Sequence, residues 1–229
     1  MVATHLTHKL LNGCSVPLEV VFVDTTVGLP LVRDYIEKVS KLYGWNLVIV
    51  SPKRSFFEIA SKQGMPTPRI RWCCRYLKLR PLLEYAASLG KQRILFVTGL
   101  RRNESKRRSK LKGLFYRRYR GVDIFYVDPI IDWGDEDVER YIEENSLPVN
   151  PAYKLIGFSG ECFCGAFTKL EHLIKVAREY PDFIEKFRIL EEVWRSGKFE
   201  GKNYKVFYAE GLKLSVNDLL KLSRENIDR

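Results

Sequence analysis

Four of the five cysteines fall in two tight pairs, Cys73-Cys74 and Cys162-Phe163-Cys164. Four thiolates delivered by two segments can complete the shell of an iron–sulfur cluster or of a tetrahedral zinc; free thiols are the remaining alternative. A disulfide framework is disfavoured, because residues 1–5 lack the charged start and apolar middle of a secretory signal. A second concentration of chemistry lies in residues 93–109, where a short apolar run ends at Gly99 and Arg101, Arg102, Ser105 and Arg108 follow. Guanidinium forks and a hydroxyl at that position suit a phosphate or sulfate, since they offer charge-assisted bidentate donors. The plain alternative is a basic loop that faces water. Asp24 and Thr25 close the apolar run of residues 17–23. An acidic residue and a hydroxyl at the carboxyl end of a strand can bind ribose, adenine or a cation, or can cap the next helix.

These groups need elements to hold them. Short apolar runs at 17–23, 46–50, 94–98 and 122–127 read as strands, and periodic segments at 2–11, 30–42, 56–62 and 72–88 read as helices. Strand and helix alternate, which predicts an α/β fold with a doubly wound, mostly parallel, Rossmann-like sheet. The carboxyl ends of such strands are where ligands bind, so Asp24 and the 101–108 loop are expected at one end of the sheet. Asp135 is expected to cap a helix running to Asn145. Residues 148–165 carry three glycines and two prolines and are expected to be an irregular, functional loop. From residue 168 onward the spacing is amphipathic and helical, with no catalytic constellation. Two domains are therefore expected, an α/β domain over 1–167 and a helical extension over 168–229 that packs or forms a homo-oligomer contact. His5 and His8, three apart on the first helix, read as polar surface residues rather than ligands.

The chain has 229 residues and a net charge of +11, so an anionic partner is expected. Residues 101–120 contribute ten basic side chains against Glu104 alone. That density exceeds what one nucleotide needs and brings tRNA or DNA into consideration. No apolar run is long enough to span a bilayer, and a cytoplasmic location is the expectation.

Several segments, taken in order, resemble one family. Gly99-Leu100-Arg101-Arg102-Asn103-Glu104-Ser105 with Arg108 resembles the Gly-x-Arg-x-x-Glu/Gln-Ser-x-x-Arg segment of the phosphoadenosine phosphosulfate reductase family. Cys73-Cys74 with Lys78, Pro81 and Leu82 resembles its Cys-Cys-x-x-x-Lys-x-x-Pro-Leu segment. Val23-Asp24-Thr25 resembles its strand end, and 129–133 with 148–151 its proline and tryptophan segment. The resemblance covers roughly residues 1–167. It implies an adenine nucleotide alpha-hydrolase type of fold and an enzyme acting on an adenylated sulfur compound, with an adenine nucleotide as substrate and Mg2+ as a candidate companion. Asp24 and Thr25 would serve the nucleoside, and Lys78, Arg101, Arg102, Ser105 and Arg108 the anion. In the iron–sulfur branch of the family a tandem Cys-Cys and a later Cys-x-x-Cys hold a 4Fe-4S cluster, which casts Cys73, Cys74, Cys162 and Cys164 as ligands.

Three departures qualify the resemblance. The later pair here is Cys-x-Cys, one residue shorter. The family's Ser-Gly-Gly-x-Asp-Ser phosphate loop is absent, and Met1 stands where the helix after that loop would begin, so the nucleotide site is expected to be half built. The reductases' C-terminal Glu-Cys-Gly-Leu nucleophile has no counterpart in residues 221–229, which leaves the catalytic residue unassigned. An ATP-dependent sulfurtransferase acting on tRNA or DNA is the alternative function, and a non-catalytic nucleic-acid-binding module the second.

Overall fold

The computed structural model describes residues 1–197 and 205–225. The chain divides into two compact units that alternate along the sequence. One unit comprises Met1–Phe22, Lys38–Val48 and Leu82–Val149; the other comprises Val23–Glu37, Ile49–Pro81 and Asn150–Arg229. The end of the expected helical extension, 226–229, lies outside the described residues.

The first unit is built on helix α1 (Val2–Leu10), strands β3 (Arg93–Val97), β4 (Leu114–Tyr119) and β5 (Val122–Val127), and helix α5 (Asp135–Glu144). β5 lies between the other two strands, parallel to β3 and antiparallel to β4. The expected α/β fold is therefore present, with its parallel pairing between β3 and β5. One face of β5 supplies buried Val122, Ile124 and Tyr126, the period-two burial of a half-covered sheet. Val2, Ala3, Ile130 and Leu147 form a buried cluster against which Leu6, Trp133, Val138 and Tyr141 pack. Gly99 is where α1 comes closest, since a side chain there would meet the Ala3 methyl at 3.4 Å.

β4 is a strand in a stretch expected to be a basic loop. The reason is the turn after it: Arg120 (φ 47°) and Gly121 (φ 83°) are both left-handed, the geometry of a two-residue hairpin turn whose twist matches its strands. Arg117 and Arg118, side by side within a stretch that holds ten basic residues, hide this from a reading of charge. The Asp135 cap is also corrected. Gly134 is the capping residue, and the Asp137 carboxylate accepts its N–H at 2.8 Å, which leaves Asp135 free to pair elsewhere.

The second unit contains α3 (Phe56–Gln63), the short α6 (Ala152–Ile156), α7 (Leu170–Glu179), α8 (Pro181–Glu185), α9 (Arg188–Arg195), the hairpin of β6 (Phe207–Ala209) and β7 (Leu212–Leu214), and α10 (Val216–Glu225). β1 (Val20–Val23) and β2 (Leu47–Val50) pair as a two-stranded sheet, and α2 (Pro30–Leu42) and α4 (Arg80–Ser88) complete the elements. The expected helix over 72–88 is not uniform, because residues Cys74–Leu79 form a wide π-helical turn before α4. The 148–165 loop carries α6, and the β6–β7 hairpin interrupts the helical tail.

The core of this unit is aromatic. Phe163 makes edge or tilted contacts with Phe183, Phe187 and Phe207, and Phe56 stacks on Trp72. Glu191 is buried beside this core and accepts the Val216 N–H at 3.0 Å, which caps α10 from another helix. Burial pushes its carboxyl above the ordinary value of 4.5, against the opposing pull of that hydrogen bond and of Arg188.

A raised folded-state value means that Glu191 favours the fold only when protonated. That contribution is complete below the unfolded value and is lost as pH rises through the folded one. Glu191→Gln keeps an oxygen for Val216 and removes the ionisation. Urea denaturation across a pH series is expected to show the variant gaining on the parent as pH rises from below 4.5 to neutrality; a constant difference at all pH values would contradict this.

Candidate functional site

In the second unit, an irregular backbone clamp positions the cysteines. Leu29 N–H donates to the Gly160 carbonyl at 2.9 Å and Phe163 N–H donates to the Val27 carbonyl at 2.8 Å. Thr25, itself buried, donates its hydroxyl to the Glu161 carbonyl at 3.0 Å. Gly28 is required between these bonds, because a methyl group there would lie 2.9 Å from the Glu161 carbonyl oxygen. With Phe163 anchored in the aromatic core, Cys162 and Cys164 flank the anchor.

The other pair arrives at the start of the π-helical turn. Trp72 is buried, its indole N–H bonded to the Gly64 carbonyl at 3.2 Å, and Cys73 is buried behind it. The Sγ atoms of Cys73 and Cys164 are 3.4 Å apart. The thiols continue as a hydrogen-bonded series from Cys74 through Cys73 and Cys164 to Cys162. Cys164 accepts from Cys162 and Cys73 and is lowered to about 3, while hydrogen bonding to Cys164 and then burial push Cys162 well up. Cys74 is brought down to about 6 by its hydrogen bond with Cys73, aided by the charges of Lys78 and Arg71. Cys14 stands exposed and takes no part.

Four sulfurs suit a thiophilic centre in kind. Among the described residues, no three His, Cys, Asp or Glu side chains stand in a metal-holding arrangement. Lys78 belongs to the same cluster. Its ammonium lies 3.7 Å from the Glu161 carboxylate, and its charge acts on Cys74, Cys162 and Cys164. Asp24 turns inward to its own segment, accepting Thr26 N–H at 2.8 Å, and its other oxygen lies 3.5 Å from Arg33. Sequence reading missed Glu161 and Thr26. The latter is a non-glycine at φ 61° whose hydroxyl accepts the Phe56 N–H at 2.7 Å at the start of α3.

In the first unit, the loop after β3 is braced rather than free. Arg101 donates to the Gly134 carbonyl at 2.9 Å and pairs with Asp135 at 2.8 Å and Glu104 at 3.6 Å. Arg102 donates to the Leu111 carbonyl at 2.8 Å and pairs with Asp132. Arg108 pairs with Glu104, and its N–H bonds to the Ser105 hydroxyl at 3.2 Å. The four residues are brought together, but three carboxylates compensate the guanidinium charge, so an incoming anion must share or displace them. No carboxylate among the described residues pairs with Lys106, Arg107, Lys110, Lys112 or Arg120, all of them exposed.

The same unit holds a cavity of about 310 Å³ lined by Thr4, Thr7, His8, Val20, Phe96 and Thr98 among others. The Nε2 atom of His8 is shut away from solvent without a hydrogen-bond partner among the described residues, and its ring stacks on Trp45. His5 instead shares a hydrogen bond with the Tyr141 hydroxyl at 3.0 Å. Periodicity places both histidines on α1, but only packing separates their roles.

A sequence model of the phosphoadenosine phosphosulfate reductase domain matches residues 1–159. The chain is 35% identical over 193 residues to an uncharacterised protein of Methanocaldococcus jannaschii, covering 81% of this chain and 43% of that protein. An adenosine 5'-phosphosulfate reductase of Bacillus cereus is 31% identical over 151 residues, 64% of this chain and 61% of the enzyme. The chain thus spans under half of the archaeal relative and about three fifths of the bacterial one. Among solved structures, the phosphoadenylyl-sulfate reductase of Candida auris in its phosphate complex aligns with a TM-score of 0.48 and 26% identity, over 67% of this chain and 71% of that one.

The clamp geometry carries its own test. Thr25→Val keeps the shape of a buried side chain and removes the only donor that reaches Glu161 from that position. Chemical denaturation is expected to show a loss of about 1–3 kcal/mol, the scale of a buried acceptor left unsatisfied. Stability equal to the parent's would mean that water takes over the carbonyl and that the clamp does not rest on this bond.

Proposed function

The chain belongs to the phosphoadenosine phosphosulfate reductase family, and on that premise we propose that it binds an adenine nucleotide and acts on an adenylated sulfur compound, as in sulfonucleotide reduction. The observation that carries this reading is the convergence of Cys73, Cys74, Cys162 and Cys164 beside Lys78. Such a set places a cation and four polarisable sulfurs at one spot, which suits an anionic sulfur compound.

Cys73, Cys74, Cys162 and Cys164 would be the ligands of a 4Fe-4S cluster, a centre their sulfurs suit in kind although the described side chains do not stand in a metal-holding arrangement. When bound, such a cluster supplies one-electron redox capacity and a local field at the site. The residues' own parts are separable from it. Lys78 orients an anion towards the cysteines. Thr25 acts indirectly, by fixing the segment that carries Cys162, since its hydroxyl is spent on Glu161. Arg101, Arg102, Ser105 and Arg108 hold a phosphate or sulfate by exchanging carboxylate partners for the ligand, and Asp24 accepts from the nucleoside. No residue is assigned as the catalytic nucleophile.

A second reading, a sulfurtransferase acting on tRNA or DNA, is favoured by the exposed cations of residues 106–120 that have no carboxylate partner among the described residues.

Anaerobically purified protein is expected to be brown, with charge-transfer absorbance that Cys73→Ser or Cys162→Ser abolishes. A colourless protein with stoichiometric zinc would remove the cluster. In calorimetric titration with adenosine phosphosulfate, Arg101→Ala and Arg108→Ala are each expected to weaken binding by about 1.5–3 kcal/mol, the scale of hydrogen bonds to charged groups. Binding equal to the parent's in both variants would reduce the loop to a braced structural element.

A further inference from the structure

The three-stranded sheet of the first unit has one covered face and one open face. The pairing register writes out the open face row by row. Leu95, Phe125 and Tyr116 lie side by side across β3, β5 and β4; Val97, Val127 and Leu114 form the row on one side, and Arg93, Asp123 and Arg118 the row on the other. Exposure follows the assignment at the centre of the sheet: Leu95, which also borders the cavity, is 58% exposed, Leu114 59%, Tyr116 54% and Phe125 38%, while on the opposite face Val122, Ile124 and Tyr126 are buried and only Phe115 on the edge strand β4 is exposed among the apolar residues. Tyr116 and Phe125 present two rings with centroids 5.4 Å apart. Contiguous apolar surface of this kind marks an interaction site.

Its surroundings are cationic. Arg93 and Arg118 border the aromatic row, and Asp123 is the one acid there, held by the Tyr116 hydroxyl at 2.7 Å and by Arg118 at 3.8 Å. The segment entering β4 brings exposed Lys106, Arg107, Lys110 and Lys112, and the turn leaving it brings Arg120. None of these five has a carboxylate partner among the described residues, unlike Arg101, Arg102 and Arg108 close by. Within the basic stretch, carboxylates pair with Arg101, Arg102, Arg108 and Arg118, and none among the described residues pairs with these five. A second copy docking face to face would set these like charges against each other.

The geometry points to a single-stranded nucleic acid as the occupant of this face: bases stack on Tyr116 and Phe125, and phosphates are neutralised by Arg118, Lys110, Lys112 and their neighbours. Exposed aromatics on a sheet suit a splayed single strand, because every base offers a π-face, whereas a duplex buries its bases and can use only the charge. The inference deepens the sulfurtransferase reading by naming the surface that would receive the strand. It needs no sulfur chemistry, so its failure and that reading's failure are separable.

The test is fluorescence anisotropy of the full chain with labelled oligouridylate, oligothymidylate and a duplex of matched length, without nucleotide, over a salt series. Both single strands are expected to bind more tightly than the duplex, with log K falling linearly in log salt. Preference between the two single strands reports the sugar and leaves the surface assignment intact. Tyr116→Ala should weaken single-strand binding about tenfold or more, the scale of one lost base–ring stack, and Tyr116→Trp should restore it. Lys110→Ala with Lys112→Ala should weaken all nucleic acids alike and flatten the salt dependence, while Lys213→Ala on β7 leaves both unchanged. Absence of binding at low salt, duplex binding equal to single-strand binding and indifferent to Tyr116, or self-association that Tyr116→Ala abolishes would each overturn the assignment.

Discussion

The hydrogen-bonded clamp between residues 25–29 and 160–163 is the constraint on which the cysteine site depends. Two backbone bonds and the Thr25 hydroxyl tie segments more than 130 residues apart in sequence, and Gly28 allows the approach. Buried peptide groups must find partners, so the clamp satisfies itself or the segment does not fold. Phe163 then enters the aromatic core, and the two flanking cysteines have no freedom to be elsewhere. The site is therefore a consequence of packing on one side of a residue and sulfur chemistry on both of its neighbours.

Charge is distributed by a different logic in the first unit. Arg101, Arg102 and Arg108 lie among Glu104, Asp132 and Asp135, an arrangement that fixes their forks at the cost of competing with any anion. A preorganised guanidinium loses less entropy on binding, yet the net field it offers is small. Five cations of the same stretch have no carboxylate partner among the described residues. On the proposed reading, steering of a polyanion and precise holding of a small anion fall to different residues, although the sequence presents them as one basic run.

Much of this was legible in the residues. Short apolar runs and helical periodicity located β3, β5, α2, α3 and α5 within a residue or two, because burial on one face leaves a repeating pattern. The spacing of the cysteines announced one thiol cluster, and Cys73 and Cys164 do meet. β4 was not legible, since its adjacent Arg117 and Arg118 within a long basic run read as a solvated loop until the left-handed turn at Arg120 and Gly121 is known. The π-helical turn after Cys73 and the caps by Gly134 and Glu191 were hidden for a related reason: each depends on which backbone groups lack partners, not on residue type.

The sequence by itself determined the α/β class and the basic excess, because these follow from composition and local periodicity. Only the tertiary structure decided which charges are spent. Whether an arginine is a ligand-binding group or half of an internal ion pair depends on carboxylates thirty residues away, and whether Thr25 faces a nucleotide or a carbonyl depends on a segment at residue 161. Such choices are set by distances in space, which fall off too steeply with misplacement to be inferred from order along the chain.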